Sequence, residues 1–241
     1  MPTRSVRYRK QVEIRGPRMQ ARSVVDGIAA VKAMAGVKSD RTYKNGRRRK
    51  DPDQTVEICV LLGVDTKQAD QMIRGSLSLP KGTGSTKRVI AFADEDLAQK
   101  ARAAGAVEAG GDDLIKRIQD GWMDFDVAVA HPSMMGRVGK LGKVLGPQGK
   151  MPSPKAGTVT ADVETAVREY SAGKLEYRTD KGGNVHLPVG KTSFAVDDLK
   201  TNIEAVVSHI QRVKPASAKG QFLKKVCIKA TRTPSILLSV G

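Results

Sequence analysis

Aromatic residues are scarce in this 241-residue chain, making up 4% of it with a single Trp. Any hydrophobic core is therefore aliphatic, built from Val, Ile, Leu, Met and Ala. Cysteine is equally rare, and the two that occur, Cys59 and Cys227, lie far apart in apolar alternating segments. Two distant cysteines are not the pattern of a disulfide framework, and no paired Cys or His spacing indicates a zinc site. We expect both thiols to be small buried side chains in a reducing compartment.

Several features that would indicate a membrane protein or an enzyme are also missing. No apolar run reaches the roughly 18 residues of a membrane span, so we expect no membrane association through such a span. Residues 146–150 read GPQGK, but a nucleotide P-loop has four residues between its glycines and Ser or Thr after its Lys. His131, His186 and His209 are scattered, without a nucleophile or metal motif. The sequence predicts no enzyme and no cofactor. A phosphate-ligand-binding α/β enzyme is the alternative.

Acidic residues are too few to balance the basic ones. The chain has 42 Lys and Arg against 25 Asp and Glu, a net charge of +17. Such a charge indicates an anionic partner, either nucleic acid or an anionic membrane surface. Residues 1–50 hold much of it and include a basic N-terminal extension. Its first 20 residues are interpreted as a transit peptide, an arm lying along RNA or a disordered tail. Its densest run is Arg47, Arg48, Arg49 and Lys50.

Residues 136–160 contain six Gly and three Pro but no Asp or Glu. Such a flexible, basic segment is not expected to build a core. It is suited to following the backbone of a polyanion, since Gly allows close approach and Lys supplies charge. A solvated surface loop is the alternative. The lysines that would make a tRNA or second RNA contact are Lys140, Lys143, Lys150 and Lys155.

Hydrophobic periodicity changes twice along the chain. Residues 22–36 and 197–215 have helical spacing, whereas 55–64, 73–79 and 222–240 alternate as strands do. Between them, the middle of the chain alternates strands (87–93, 124–132) with helices (94–105, 112–121, 160–173), which is typical of a parallel three-layer α/β unit. Thr160 is the expected N-cap of the last helix. Segments 174–179 and 184–189 are joined by DKGG at 180–183, which predicts a hairpin.

These patterns predict two domains that combine α/β and α+β architecture. Residues 1–80 and 172–241 are expected to form a discontinuous α+β domain from both chain ends. Residues 81–171 are expected to form an inserted three-layer, Rossmann-like α/β domain on a two-strand hinge. Insertion of one domain into another is tolerated when the termini of the insert lie close together.

Five ordered segments resemble one protein family. They include TVEICVLLGVDTKQAD at the start of 55–84, GWMDFDVAVAHP within 104–135, and LGPQGKMPSPKAGTVT within 138–160, and continue through 172–191 and 214–226. The chain resembles the bacterial-type large-subunit ribosomal proteins of the L-one family, found in the mobile ribosomal stalk. The resemblance implies a structural constituent of the large subunit. Its implied partners are ribosomal RNA, exit-site tRNA whose release it assists, other ribosomal proteins, and its own mRNA as a translational repressor.

The resemblance also implies RNA-contact positions. Those carried over are Thr55, Glu57, Asp180, Lys181, Gly183 and Thr231. To these we add the basic residues Arg178, Lys225 and Arg232 of the terminal segments.

The sequence departs from the family pattern at two places. Pro52 stands where members often have an aromatic residue, and Thr231-Arg232-Thr233 stands where they often have Thr-Met-Gly. With the basic extension, these departures favour a mitochondrial member over a bacterial cytoplasmic or plastid one.

Overall fold

A computed structural model provides the structure, and it describes residues 5–38, 52–68, 70–218 and 220–239, apart from the side chain of Lys155. Its elements, in chain order, are α1 (Val6–Arg15), α2 (Val24–Ala35), β1 (Thr55–Leu62), β2 (Arg74–Leu77), β3 (Val89–Phe92), α3 (Glu95–Ala103) and β4 (Glu108–Gly110). They continue as α4 (Asp112–Gln119), β5 (Val127–Ala130), α5 (Met135–Val138), α6 (Gly142–Leu145), α7 (Val163–Ser171) and β6 (Leu175–Arg178). The last are β7 (Asn184–Lys191), α8 (Val196–Arg212), β8 (Leu223–Ala230) and β9 (Ile236–Leu238).

The chain divides into two compact units. The first comprises Met1–Ile73, Leu79–Thr83 and Arg178–Gly241, and the second comprises Arg74–Ser78 and Gly84–Tyr177. Each unit has helices and its own sheet. This mixed architecture confirms the predicted fold class.

The first unit is built on a four-stranded sheet of order β7-β1-β8-β9. β1 is antiparallel to both β7 and β8, and β8 is antiparallel to β9. Helices α2 and α8 contact these strands and each other. Their apolar stripes, with Ile28 and Ile203 fully buried, pack on the sheet face that carries Val56 and Ile58. Close approach requires Gly27 in α2, since a Cβ there would collide with the side chain of Leu238.

The second unit is the three-layer α/β arrangement that the sequence predicts. Its parallel sheet has the order β4-β3-β5. One face buries Ile90 and Phe92 against α4 and the segment that follows β5. The other face buries Val89 and Ala91 against α3 and α7. Helix α7 begins later than predicted, because Asp162 rather than Thr160 is the N-cap and its Oδ1 accepts from the N–H of Thr165 at 3.1 Å.

The hairpin predicted over 174–189 is wrong in its pairing. The turn exists, since the N–H of Gly183 donates to the carbonyl of Asp180 at 3.1 Å. The strands on either side of it belong to different sheets, because β6 pairs with β2 and β7 pairs with β1. Between β6 and the turn lies buried Thr179, whose N–H donates to the carbonyl of Ile73 at 2.9 Å.

Part of the basic N-terminal extension belongs to the first unit. Helix α1 contacts α2, and its one fully buried side chain is Gln11. Gln11 Nε2 donates to the carbonyl oxygens of Met34, at 2.9 Å, and Arg232, at 3.2 Å. These bonds connect α1 to the end of α2 and to the turn that follows β8. The run Arg47–Lys50 lies outside the described residues.

Candidate nucleic-acid interface

One face of the four-stranded sheet in the first unit carries partly or fully exposed side chains in the part of the chain that the structure describes, and it is called the uncovered sheet face below. Along β1 every second residue is buried under the helices, and the alternate residues are partly exposed. β7, β8 and β9 alternate in the same way, except at Val189 and Gly190 of β7, which are both buried, and at Lys224 and Lys225 of β8, which are both exposed. The outward residues are Thr55, Glu57, Cys59 and Leu61 on β1, Lys225, Cys227 and Lys229 on β8, Asn184, His186 and Pro188 on β7, and Leu237 on β9.

One end of this face brings together three of the predicted RNA-contact residues. The N–H of Thr231 donates to the carbonyl of Thr55 at 3.0 Å, and Lys191 Nζ donates to Thr55 Oγ1 at 3.1 Å. The N–H of Arg232 donates to Gln54 Oε1 at 2.9 Å. Gln54 is itself 3% exposed, so it acts as a buried anchor for the turn. Thr231 and Arg232 are left with exposed side chains.

Glu57 lies in the middle of the sheet face, opposite Lys229. Its carboxylate forms an ion pair with Lys229 Nζ, at an N–O distance of 3.0 Å, and both side chains are partly exposed. An exposed pair of this kind adds little to stability, about 0–1 kcal/mol. It does place an acceptor beside a cation, and a carboxylate has further lone pairs to offer. The pair can therefore receive a ribose hydroxyl and a phosphate side by side.

The turn at 180–183 is held by a carboxylate. Asp180 Oδ1 accepts from the N–H of Asn184 at 2.7 Å and the N–H of Gly182 at 2.8 Å. The hydrogen bond from the Asn184 backbone, followed by those from the Asn184 side chain and Gly182, lowers the pKa of Asp180 below its usual value. Gly183 has φ 79°, a left-handed conformation that favours glycine. This geometry leaves Lys181 exposed beside the sheet face.

The two other predicted basic residues lie in different sheets. Lys225 is exposed on β8 of the four-stranded sheet, opposite Leu61. Arg178 is exposed too, but it lies on β6 in the two-stranded sheet with β2.

Sequence reasoning also missed partners of the predicted residues. Gln54 was missed, although it keeps the inward register of Val56 and Ile58. The placement of His186 on the face was missed as well, and the alternation of β7 is the signal for it. Cys59 and Cys227 are partly exposed outward residues, which corrects the expectation that both are buried.

The prediction that residues 136–160 cannot build a core is wrong. They form α5, α6 and 3-10 turns at Gly139–Leu141 and Pro154–Ala156. Val138, Leu141 and Leu145 are fully buried in the second unit. Their spacing of three and four residues is helical. The segment ends in a turn anchored by Tyr170, whose hydroxyl donates to the carbonyl of Ala156 at 2.7 Å.

The four lysines of this segment have different positions. Lys140 and Lys143 are exposed. Lys150 is partly buried, and its Nζ donates to the carbonyl oxygens of Phe125, at 2.6 Å, and Met123, at 3.2 Å. These bonds give Lys150 a structural contact within the second unit, and its role as an RNA contact stays a prediction. The side chain of Lys155 lies outside the described part of the structure.

Other kinds of site find little support in the described residues. No three His, Cys, Asp or Glu side chains among them are grouped so as to hold a metal ion. None of the described helices is long and apolar enough to cross a membrane.

Comparison with known proteins identifies the protein family of the chain. The model of the ribosomal protein L1p/L10e family matches residues 42–234, and the chain belongs to that family. The resemblance predicted from the five segments is thereby confirmed. Among individual relatives, the chain is 54% identical over 184 residues to the large ribosomal subunit protein uL1 of Pediococcus pentosaceus. That alignment covers 76% of this chain and 80% of the relative. The relative is bacterial, so it gives no support to the expected mitochondrial placement.

Proposed function

We propose that this protein is a non-enzymatic structural constituent of the large subunit of a bacterial-type ribosome and binds large-subunit ribosomal RNA. The observation that carries the proposal is the uncovered sheet face of the first unit, which presents the hydroxyl of Thr55, the carboxylate of Glu57 and the ammonium groups of Lys225 and Lys229. Membership in a ribosomal protein family supports the same conclusion. Neighbouring ribosomal proteins are its further partners. A phosphate-ligand enzyme in the second unit is the less favoured alternative.

The chemistry of the face suits double-helical RNA. A-form RNA presents a wide, shallow groove lined with 2′-hydroxyls and flanked by phosphates. Thr55, Glu57 and Thr231 are short polar side chains that can reach such hydroxyls from a sheet. Lys181 and Lys225, both exposed, extend from the same surface and can pair with phosphates. Because such binding recognises the shape and the backbone of the RNA, an mRNA segment of the same folded shape would compete with ribosomal RNA for the sheet face. Repression through the protein's own mRNA follows as a second use of the face.

We further propose that the two units are two domains with different RNA partners. The unit made from both chain ends binds ribosomal RNA, and the inserted unit contacts exit-site tRNA and assists its release. The two-stranded β2–β6 sheet, where the chain passes between the units, is the proposed hinge. Lys140 and Lys143 support a tRNA contact because they are exposed in a segment without acidic residues.

Binding of the full chain to purified large-subunit RNA tests the ribosomal part of this proposal. We expect saturable binding that weakens steeply as salt rises, because counterions are released from each phosphate contacted. A non-ribosomal double-stranded RNA of similar length serves as the control. Equal affinity for both RNAs would contradict a dedicated ribosomal site.

A Lys140→Ala/Lys143→Ala variant separates the two RNA partners. We expect unchanged assembly into large subunits, and slower release of deacylated tRNA from the exit site. Assembly is read from sedimentation, and release from dissociation of labelled tRNA. The matched control is Lys100→Ala/Lys116→Ala, which removes the same charge from exposed positions of α3 and α4. Failure of the first variant to assemble would place Lys140 and Lys143 in the main ribosomal RNA site.

A further inference from the structure

Two free thiols lie directly opposite each other on the uncovered sheet face. The register of β1 and β8 makes Cys59 the partner of Cys227. Both are partly exposed, and neither is in a disulfide. Directly opposed residues of an antiparallel pair have Cα atoms roughly 4.5–5.5 Å apart. A disulfide needs Cα atoms roughly 4.4–6.8 Å apart, and the usual spacing of opposed residues falls within this range.

The neighbours of the two thiols are the proposed RNA-contact residues. On one side along the strands stands the Glu57–Lys229 pair, and on the other stands Lys225 opposite Leu61. Across the sheet, Cys59 also faces His186 of β7. The two sulfur atoms therefore lie inside the proposed RNA interface rather than at its edge.

We propose that Cys59 and Cys227 form an oxidisable dithiol that a peroxide converts to a cross-strand disulfide, and that bound RNA protects it. In the first step, one thiolate attacks a peroxide oxygen and the O–O bond breaks. This step yields a sulfenic acid and, with hydrogen peroxide, water. In the second step the other thiol attacks the sulfenic sulfur, and a second water leaves as the S–S bond forms. The two sulfur atoms lose two electrons in total, which the peroxide accepts. Small thiols reverse the reaction by exchange. Protection by RNA rests on the proposed function, whereas disulfide formation does not.

The surroundings of the two thiols favour their protonated form, which is the less reactive one. Burial raises the pKa of Cys59, and the neighbouring Cys227 raises it further. Burial also raises the pKa of Cys227, against the opposing effect of Lys225. Because the thiolate is the reacting form, the oxidation rate rises with pH. The pair therefore stays reduced unless peroxide is abundant and the face is free.

Peroxide treatment of the full, reduced chain tests the dithiol, with mass spectrometry after the remaining thiols are alkylated. We expect a monomer that has lost one hydrogen from each cysteine, carries a Cys59–Cys227 linked peptide, and is restored by dithiothreitol. Cys59→Ser and Cys227→Ser are the controls, and each is expected to gain oxygen or to dimerise instead. Complete alkylation of both cysteines in peroxide-treated wild type, or dimers in place of the linked monomer, would overturn the proposal.

Repeating the reaction with large-subunit RNA bound tests the protection. We expect disulfide formation to slow several-fold with RNA, and to keep its free rate when a non-binding RNA is added. If the disulfide forms equally fast with RNA bound, the dithiol stands and the assignment of the RNA face fails. If no disulfide forms but RNA shields both thiols from alkylation, the RNA face stands and the dithiol fails.

Discussion

Replacing Lys225 and Lys229 together by glutamate is expected to weaken binding to large-subunit RNA by about 3–6 kcal/mol. Both lysines are outward residues of β8 on the uncovered sheet face. Each is expected to make one charge-assisted contact to a phosphate. Charge reversal removes these contacts and sets two carboxylates against the RNA backbone. Titration of RNA with the variant and the wild type measures the loss.

A matched control distinguishes the loss of contacts on the sheet face from the effect of the changed net charge. Lys200→Glu/Arg212→Glu changes the net charge by the same amount on α8, the helix that covers the opposite face of the sheet. We expect near wild-type affinity from it. The slope of log affinity against log salt should fall by roughly 0.7–0.9 for each phosphate that the protein no longer neutralises, in the sheet-face variant only. Equal losses of affinity in both variants would show that overall charge, and not this face, governs binding.

Asn202→Ala is expected to lower the free energy of unfolding of the first unit by about 2–5 kcal/mol. Asn202 is fully buried on α8. Its Oδ1 accepts from the N–H of Lys81 at 3.1 Å. Its Nδ2 donates to the carbonyl oxygens of Val189, at 2.8 Å, and Gly82, at 3.0 Å. Alanine would leave one donor and two acceptors without this partner in a site where water has little access.

Urea unfolding followed by circular dichroism measures this loss, and fluorescence of Trp122 reports the second unit separately. We expect the Asn202→Ala variant to shift the transition of the first unit and to leave the Trp122 signal unchanged. Glu204→Ala, an exposed change on the same helix, should stay within about 0.5 kcal/mol of wild type. If the Asn202→Ala variant unfolds at the wild-type midpoint, water satisfies the three backbone groups that Asn202 bonds. The hydrogen bonds of Asn202 would then not be important for stability.

Elements with strong periodicity could be predicted from the sequence. β1 alternates without interruption, and α8 repeats apolar residues at helical spacing, so each indicates its own buried face. The uncovered face follows from the same alternation once the helices occupy the other side. The outward placement of Thr55, Glu57 and Lys225 is therefore what the pattern of their strands indicates.

Features that depend on distant partners could not be predicted. The turn signal at 180–183 is local, and it cannot show that β6 pairs with β2 while β7 pairs with β1. Helix α1 has no apolar stripe, and it is linked to the unit through Gln11 and two carbonyl groups. The hydrogen bonds of Lys150 to the carbonyl oxygens of Met123 and Phe125 could not be predicted, because both residues are remote from it in sequence.

Mapping RNA cross-links on the protein tests the central claim, that ribosomal RNA binds the uncovered sheet face, most directly. The full chain is bound to large-subunit RNA, irradiated with ultraviolet light, digested, and examined by mass spectrometry for nucleotide-bearing peptides. We predict cross-links in β1, β7 and β8, including the peptides that carry Cys59, His186 and Lys225. Cross-links confined to α2 and α8, or to the second unit, would contradict the claim.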